Sequence, residues 1–401
     1  MRGYAAVTAA YWAFMLTDGA LRMLVLLHFH ALGFTPVQLA WLFVLYEIAG
    51  VVTNLTAGWL AARFGLALTL YLGLGLQIVA LLVLSQLDPG WAITVSVIFV
   101  MLVQGASGVA KDLSKTASKS AVKLLAPEGQ GLFRWVAVLT GSKNAVKGLG
   151  FFVGAALLAG LGFAPALWLM AVCLAAILVA VLVFMPRDLS AKNKGAKFRQ
   201  MFSRDPRINW LSAARLFLFG ARDVWFVVAL PIWLTAYLWD GTAEGREAAF
   251  FATGGFMALW IIAYGAVQAS APKILGTGDA TKAFGWVLGL AVIPAMLAAL
   301  LWLGPTAAWP VLTGLMVFGA VFAVNSSLHS FLVLDYARSA DVTMDVGFYY
   351  MANAGGRLLG TILSGICFQL GGLPLSLAVS AGLLLVSAVM VRRIPAAPAL
   401  A

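Results

Sequence analysis

Apolar runs of about twenty residues recur from one end of this chain to the other, separated by short polar stretches. A helix rises about 1.5 Å per residue, so a run of that length spans the roughly 30 Å hydrocarbon layer of a bilayer. Soluble domains carry about 25% charged residues, whereas only 10% of these 401 residues are charged and 63% are hydrophobic. The predicted fold is therefore an all-α integral membrane protein with twelve transmembrane helices.

The segments are predicted at 4–30, 36–61, 67–86, 91–117, 132–162, 165–185, 210–238, 248–271, 283–303, 306–334, 344–370 and 373–391. The longest polar interruption carries Arg187, Lys192, Lys194, Lys197, Arg199, Arg204 and Arg207. It divides the chain into an N-terminal six-helix half (1–186), a basic linker (187–208) and a C-terminal six-helix half (209–401). Within the linker Phe198, Met201 and Phe202 fall at helical spacing beside Lys197 and Arg199. That pattern suits a short helix lying on an anionic membrane surface.

Alternating the segments puts the linker, Arg63, the Lys111–Arg134 region, Lys273, Lys282, Arg338 and both termini on one side. The opposite loops hold only Arg246 among Asp240, Glu244 and Glu247. Basic loops face the cytoplasm, so both termini are expected there. Trp91, Trp239, Trp302 and Trp309 mark the outer boundary as interfacial anchors. The net charge of +11 is thus a topology signal, and no nucleic-acid partner is expected. The first apolar run carries Asp18 and Arg22 and is too long for a cleavable signal.

The two halves share short matches. Gly19-Ala20-Leu21-Arg22 corresponds to Gly220-Ala221-Arg222-Asp223. Asn144-Ala145-Val146-Lys147 corresponds to Asn353-Ala354-Gly355-Gly356-Arg357 with one residue inserted. Both fall in corresponding segments, which favours a duplicated six-helix unit with its substrate site at the repeat interface.

Charges inside the apolar segments carry the functional signal. Lys143 and Lys147 sit one turn apart in the fifth segment, and the 104–150 region supplies only Asp112 and Glu128 against seven cations. An intramembrane cation costs roughly 2.5–3.5 kcal/mol on insertion scales, so it faces a cavity and meets a partner there. An anionic substrate is the simplest partner; the alternative is that both lysines snorkel to the cytoplasmic mouth. Arg357, the counterpart of Lys147, offers a planar fork suited to an oxyanion; a structural salt bridge is its alternative role. Asp18 and Arg22, at i and i+4, and the neighbours Arg222 and Asp223 read either as pairs that shape the cavity or as direct ligands. Asn144 and Asn353 are placed to orient substrate, and His329, with Asn325, Ser326 and Ser327, to line the cavity. Lys111, Lys115, Lys119 and Lys123 repeat every four residues, as a ramp that draws anions inward or as an ordinary basic loop. Glu47 is a candidate proton carrier or a packing residue, and Arg215 is expected nearer the cytoplasmic end.

His28, His30 and His329 lack metal-ligand spacing, and Cys173 and Cys367 are isolated thiols, so neither metal nor cofactor is expected. No nucleophile–base arrangement, phosphate-cradling loop or nucleotide motif is present, which leaves a membrane-embedded enzyme or sensor as a remote alternative to transport.

Gly58-Trp59-Leu60-Ala61-Ala62-Arg63-Phe64-Gly65 resembles the loop motif of the major facilitator superfamily, with Ala62 in place of the usual acid and Leu66 in place of the usual basic residue. A closer resemblance lies in Thr17-Asp18-Gly19-Ala20-Leu21-Arg22-Met23-Leu24-Val25-Leu26-Leu27-His28-Phe29-His30, Ser107-Gly108-Val109-Ala110-Lys111-Asp112-Leu113, Ser118-Lys119-Ser120-Ala121-Val122-Lys123-Leu124-Leu125 and Trp135-Val136-Ala137-Val138-Leu139-Thr140-Gly141-Ser142-Lys143-Asn144-Ala145. These stretches are similar to the organoarsenical efflux permeases of bacterial arsenic operons. The resemblance implies export of 1-arseno-3-phosphoglycerate across the bacterial inner membrane, with arsenate resistance as the result. It also implies a functional link to glyceraldehyde-3-phosphate dehydrogenase, which forms that ester from arsenate. A monomer is expected. The residues alone reach only a polyanion, and exchange of phosphate esters for phosphate remains the alternative.

Overall fold

The structure is a computed structural model that describes residues 2–125, 130–184, 205–275, 279–304, 307–336 and 342–395. Side chains are described outside 2–4, 55, 57–64, 119–120, 122–125, 130–141, 334 and 342–347. The amphipathic pattern around Phe198, most of the linker, Arg338, and the side chains of Arg63, Lys119, Lys123 and Arg134 thus lie outside the described residues.

Every regular element among the described residues is a helix: α1 (Arg2–Ala31), α2 (Pro36–Phe64), α3 (Leu66–Leu84), α4 (Ile93–Leu125), α5 (Gln130–Leu161), α6 (Phe163–Phe184), α7 (Pro206–Phe226), α8 (Ala229–Leu238), α9 (Ala243–Leu275), α10 (Ala280–Trp302), α11 (Ala308–Tyr336) and α12 (Val342–Arg392). The predicted seventh segment is one apolar span, Pro206–Leu238, broken where Val228 and Ala229 donate their backbone N–H groups to Ser364 Oγ. Conversely, the predicted eleventh and twelfth segments run together as α12. They separate at Gly371 and Gly372, the latter at φ 64°, a left-handed conformation that costs glycine little. Pro374 follows, where a helix start tolerates its missing N–H. With these two adjustments the spans number twelve, as the sequence predicts.

Sequence sets several helix starts directly. Thr35 Oγ1 accepts from Gln38 N while Gln38 Oε1 accepts from Thr35 N, a reciprocal capping box ahead of α2. Asp205 accepts from Arg207 N just before Pro206, and Asp279 accepts from Lys282 N at α10. Outward apolar side chains such as Val172, Val183, Met296 and Leu370 are more than 60% exposed, a surface suited to lipid. Trp91, Trp239, Trp302 and Trp309 are exposed too.

The chain forms two compact units, Met1–Lys197 with Pro231–Gly265, and Phe198–Leu230 with Ala266–Ala401. In the first, α1 packs along α5, and α4 packs along α2 and α3. In the second, α12 packs along α7 and against α10. Small residues bring the backbones close, since lipid supplies no hydrophobic drive between helices and packing must do so. On α5 a Cβ at Gly150 or Gly154 would collide with the Leu16 and Ala20 carbonyls of α1. On α12 a Cβ at Gly356 or Gly360 would collide with the Leu216 and Gly220 carbonyls of α7. Each unit therefore carries a G-x-x-x-G seam beside the cation singled out by the internal repeat.

Candidate functional site

In the first unit the seam between α1 and α5 sets Lys147 Nζ 2.9 Å from Asp18 Oδ2. Asp18 is 3% exposed, and its other oxygen accepts from Tyr46 Oη on α2. Arg22, one turn further along α1, reaches α2 instead and pairs with Glu47 at 3.2 Å. The expected pairing of Asp18 with Arg22 along one helix does not form. Each of the two meets a better-placed partner on a neighbouring helix, and the pairs stay within the unit. Glu47 is fully buried, so its carboxylate is held as Arg22's counter-charge.

The Tyr46 ring serves two cations. Arg22 Cζ lies 5.6 Å from its centre and Lys111 Nζ lies 4.0 Å from it, both within cation–π range. Asp112 lies next to Lys111 in sequence and is 1% exposed. It accepts from Thr53 Oγ1 at 2.6 Å and from Lys115 Nζ at 2.7 Å. Lys115 also donates to Asn54 Oδ1. Lys111 and Lys115 are thus built into the α2–α4 interface rather than standing in an open loop. Lys143 and Asn144 are part-exposed on α5, and Asn144 Cβ lies where a Cβ on Gly265 would fall.

The second unit repeats the plan with altered residues. Asp223 is 2% exposed and serves two arginines, Arg222 at 2.6 Å and Arg357 at 3.8 Å. Arg222 is also surrounded by the Phe219, Phe322 and Phe226 rings. Seven residues earlier on α7, about 10 Å along the axis, Arg215 is 4% exposed. Its Nε donates to Asn353 Oδ1 and its Nη1 to the Ser326 carbonyl. Arg215 is therefore buried among helices, at the Pro206 side of Arg222. His329 and Asn325 are fully buried on α11.

Sequence reasoning picked out most of these charges but missed Tyr46, Thr53 and Asn54, which organise the first unit. One signal was present: Tyr46, Thr53 and Asn54 are polar residues in an apolar run, spaced to share a face of α2. Among the described residues no group of three His, Cys, Asp or Glu comes together.

Helical spans with ion pairs in their interiors, in two units that repeat one plan, define the class: a membrane transporter for small molecules. The model of the Major Facilitator Superfamily matches residues 7–339, and the chain belongs to that family. No curated protein matches it in sequence. Among solved structures it is similar to a mutant of the nucleoside transporter NupG, at 15% identity and TM-score 0.77, covering 98% of this chain and 100% of that one. It is also similar to a POT family transporter in complex with 5-aminolevulinic acid, at 15% identity and TM-score 0.73, covering 98% and 95%. These likenesses show the fold. The protein is a multi-pass secondary transporter and not an enzyme.

Proposed function

We propose that this transporter exports an organic anion bearing two oxyanion groups, with 1-arseno-3-phosphoglycerate as the substrate and arsenate resistance as the outcome. One observation carries the reading: among the described residues, two interior arginines meet one carboxylate. Arg222 and Arg357 share the single carboxylate of Asp223. Such an excess inside a bilayer is stabilised by an anion that accepts charge-assisted hydrogen bonds.

In this reading Lys143, Lys147 and Arg357 grip the oxyanions, Arg22 and Arg222 add positive potential, and Asn144, Asn353 and His329 orient the ligand. Asp18 and Asp223 hold the cations in place when substrate is absent. The substrate is drawn from the resemblance to organoarsenical permeases; the charges support a polyanion. The two repeats are residues 1–186 and 209–401, joined by the basic linker 187–208, with both termini in the cytoplasm of a bacterial cell. Lys111, Lys115 and Lys119 maintain positive potential on the cytoplasmic approach. An inside-negative potential drives anions out by roughly 2.3 kcal/mol per charge per 100 mV. No coupled ion is then required, and Glu47 serves Arg22 rather than carrying protons.

Uptake of arsenic by everted vesicles tests the proposal. It should require glyceraldehyde-3-phosphate dehydrogenase, its triose phosphate, NAD and arsenate together. Uptake of phosphate esters without that enzyme, in exchange for phosphate, would instead make the protein a phosphate-ester exchanger.

A further inference from the structure

Arg215 differs from the other buried arginines. Arg22 has Glu47, and Arg222 and Arg357 have Asp223, but among the described residues no carboxylate lies within 4.0 Å of Arg215. Two neutral acceptors, Asn353 Oδ1 at 3.1 Å and the Ser326 carbonyl at 2.9 Å, take two of its N–H groups. Phe219 and Tyr349 rings lie 4.1 and 5.0 Å from its Cζ. A guanidinium stays charged when buried, and an unneutralised charge there is costly.

Unsatisfied polar groups lie beside it. Asn325 and His329 are one turn apart on α11, so they share a face, and both are fully buried. Among the described residues, neither the amide oxygen and nitrogen of Asn325 nor the two ring nitrogens of His329 have a hydrogen-bond partner. Ser326, whose carbonyl receives Arg215, lies between them in sequence. Ser212 Oγ, one turn before Arg215 on α7, is buried and unpartnered as well. Buried polar groups are nearly always satisfied, and four such atoms on two neighbouring side chains beside an uncompensated cation ask for one ligand.

We infer that Arg215, Asn325, His329 and Asn353 form an anion site inside the C-terminal unit that takes a protonated tetrahedral oxyanion, of which inorganic monohydrogen or dihydrogen phosphate is the simplest. The mixture of donors and acceptors sets this class. The guanidinium, the Asn325 amide N–H and a His329 ring N–H donate to anionic oxygens. The Asn325 carbonyl and the other imidazole nitrogen each need a donor; the hydroxyl of monohydrogen phosphate supplies one, and the two hydroxyls of the dihydrogen form supply both. Chloride and sulfate only accept, so they would leave those two atoms unsatisfied. The site shares His329 and Asn353 with the proposed substrate set and rests on that reading for nothing else.

The test is thermal unfolding of the full-length protein in lipid nanodiscs, in chloride-free buffer, titrated with inorganic phosphate, sulfate or chloride. Phosphate should raise the midpoint, with an apparent affinity roughly tenfold tighter than sulfate, the scale of one additional charge-assisted hydrogen bond; chloride should do less still. Arg215→Gln should abolish the phosphate response, while Arg246→Gln, which removes an exposed cation outside both sites, should keep it. Should Arg215→Gln fail to fold, Asn325→Asp decides the matter by building in a fixed counter-charge. That variant should unfold at a higher temperature than the parent without phosphate, and should no longer respond to it. No phosphate response in the parent, an equal response to sulfate, or a response lost in Arg246→Gln but kept in Asn325→Asp would each overturn the inference. Because the probe is inorganic phosphate, the site stands or falls separately from arsenate-ester export.

Discussion

Lys147 on α5 and Asp18 on α1 form an ion pair of 2.9 Å that ties two helices across their glycine seam. The lysine suggested by sequence as a ligand is thus also the neutralising partner of a buried acid. Removing it alone strands Asp18, a change that costs about 3–5 kcal/mol for a buried pair. Lys147→Ala should therefore unfold at a clearly lower temperature than the parent. The double variant Lys147→Ala with Asp18→Asn should recover most of that stability and still fail to export. Export by the double variant, measured in everted vesicles, would reduce Lys147 to a structural role.

Lys143 sits one turn earlier and is part-exposed. Lys143→Gln should leave membrane levels and melting temperature near those of the parent while abolishing vesicle uptake. Unchanged uptake would remove this lysine from the proposed site.

Arg222 and Arg357 divide one carboxylate. Asp223→Asn should thus lower stability by removing the carboxylate that both guanidiniums meet, yet tighten binding of an anionic substrate. Arg357→Lys should weaken that binding by about 1–3 kcal/mol, as expected when a planar fork is replaced by a point charge. Equilibrium binding to purified protein checks both. An affinity unaltered by Arg357→Lys would mean that this arginine supplies potential alone.

The seams make a separate prediction. Gly356→Val would drive side-chain atoms into the Leu216 carbonyl, and Gly150→Val into that of Leu16. Both should sharply reduce the folded protein recovered from membranes. Gly285 and Gly289 on α10 face open space, so alanine at either should be tolerated. Equal yields for all four variants would show that the close approach contributes little.

The helices were legible because each apolar run is long and its ends carry recognisable signals, as at Thr35–Gln38 and Gly371–Gly372. The break after Phe226 was not, since it depends on Ser364, far away in sequence. Site cations were visible as charges in oil, whereas their partners were not. Helical spacing offered Arg22 to Asp18, but Glu47 lies in α2 and Lys147 in α5, and nothing local ranks such contacts against an i,i+4 pair.

The two glycine seams separate what holds the helices together from what sits beside them. The α1–α5 and α7–α12 spacings are set by backbone against backbone, with no reliance on the length of the neighbouring Lys147 or Arg357 side chain. An evolving lineage could exchange those cations, resize them or move an acid from the position of Asp18 to that of Asp223 without repacking the bundle. Charge pattern is therefore free to vary on a spacing that the backbone fixes. Transporters sharing this seam can diverge in ligand while keeping one backbone.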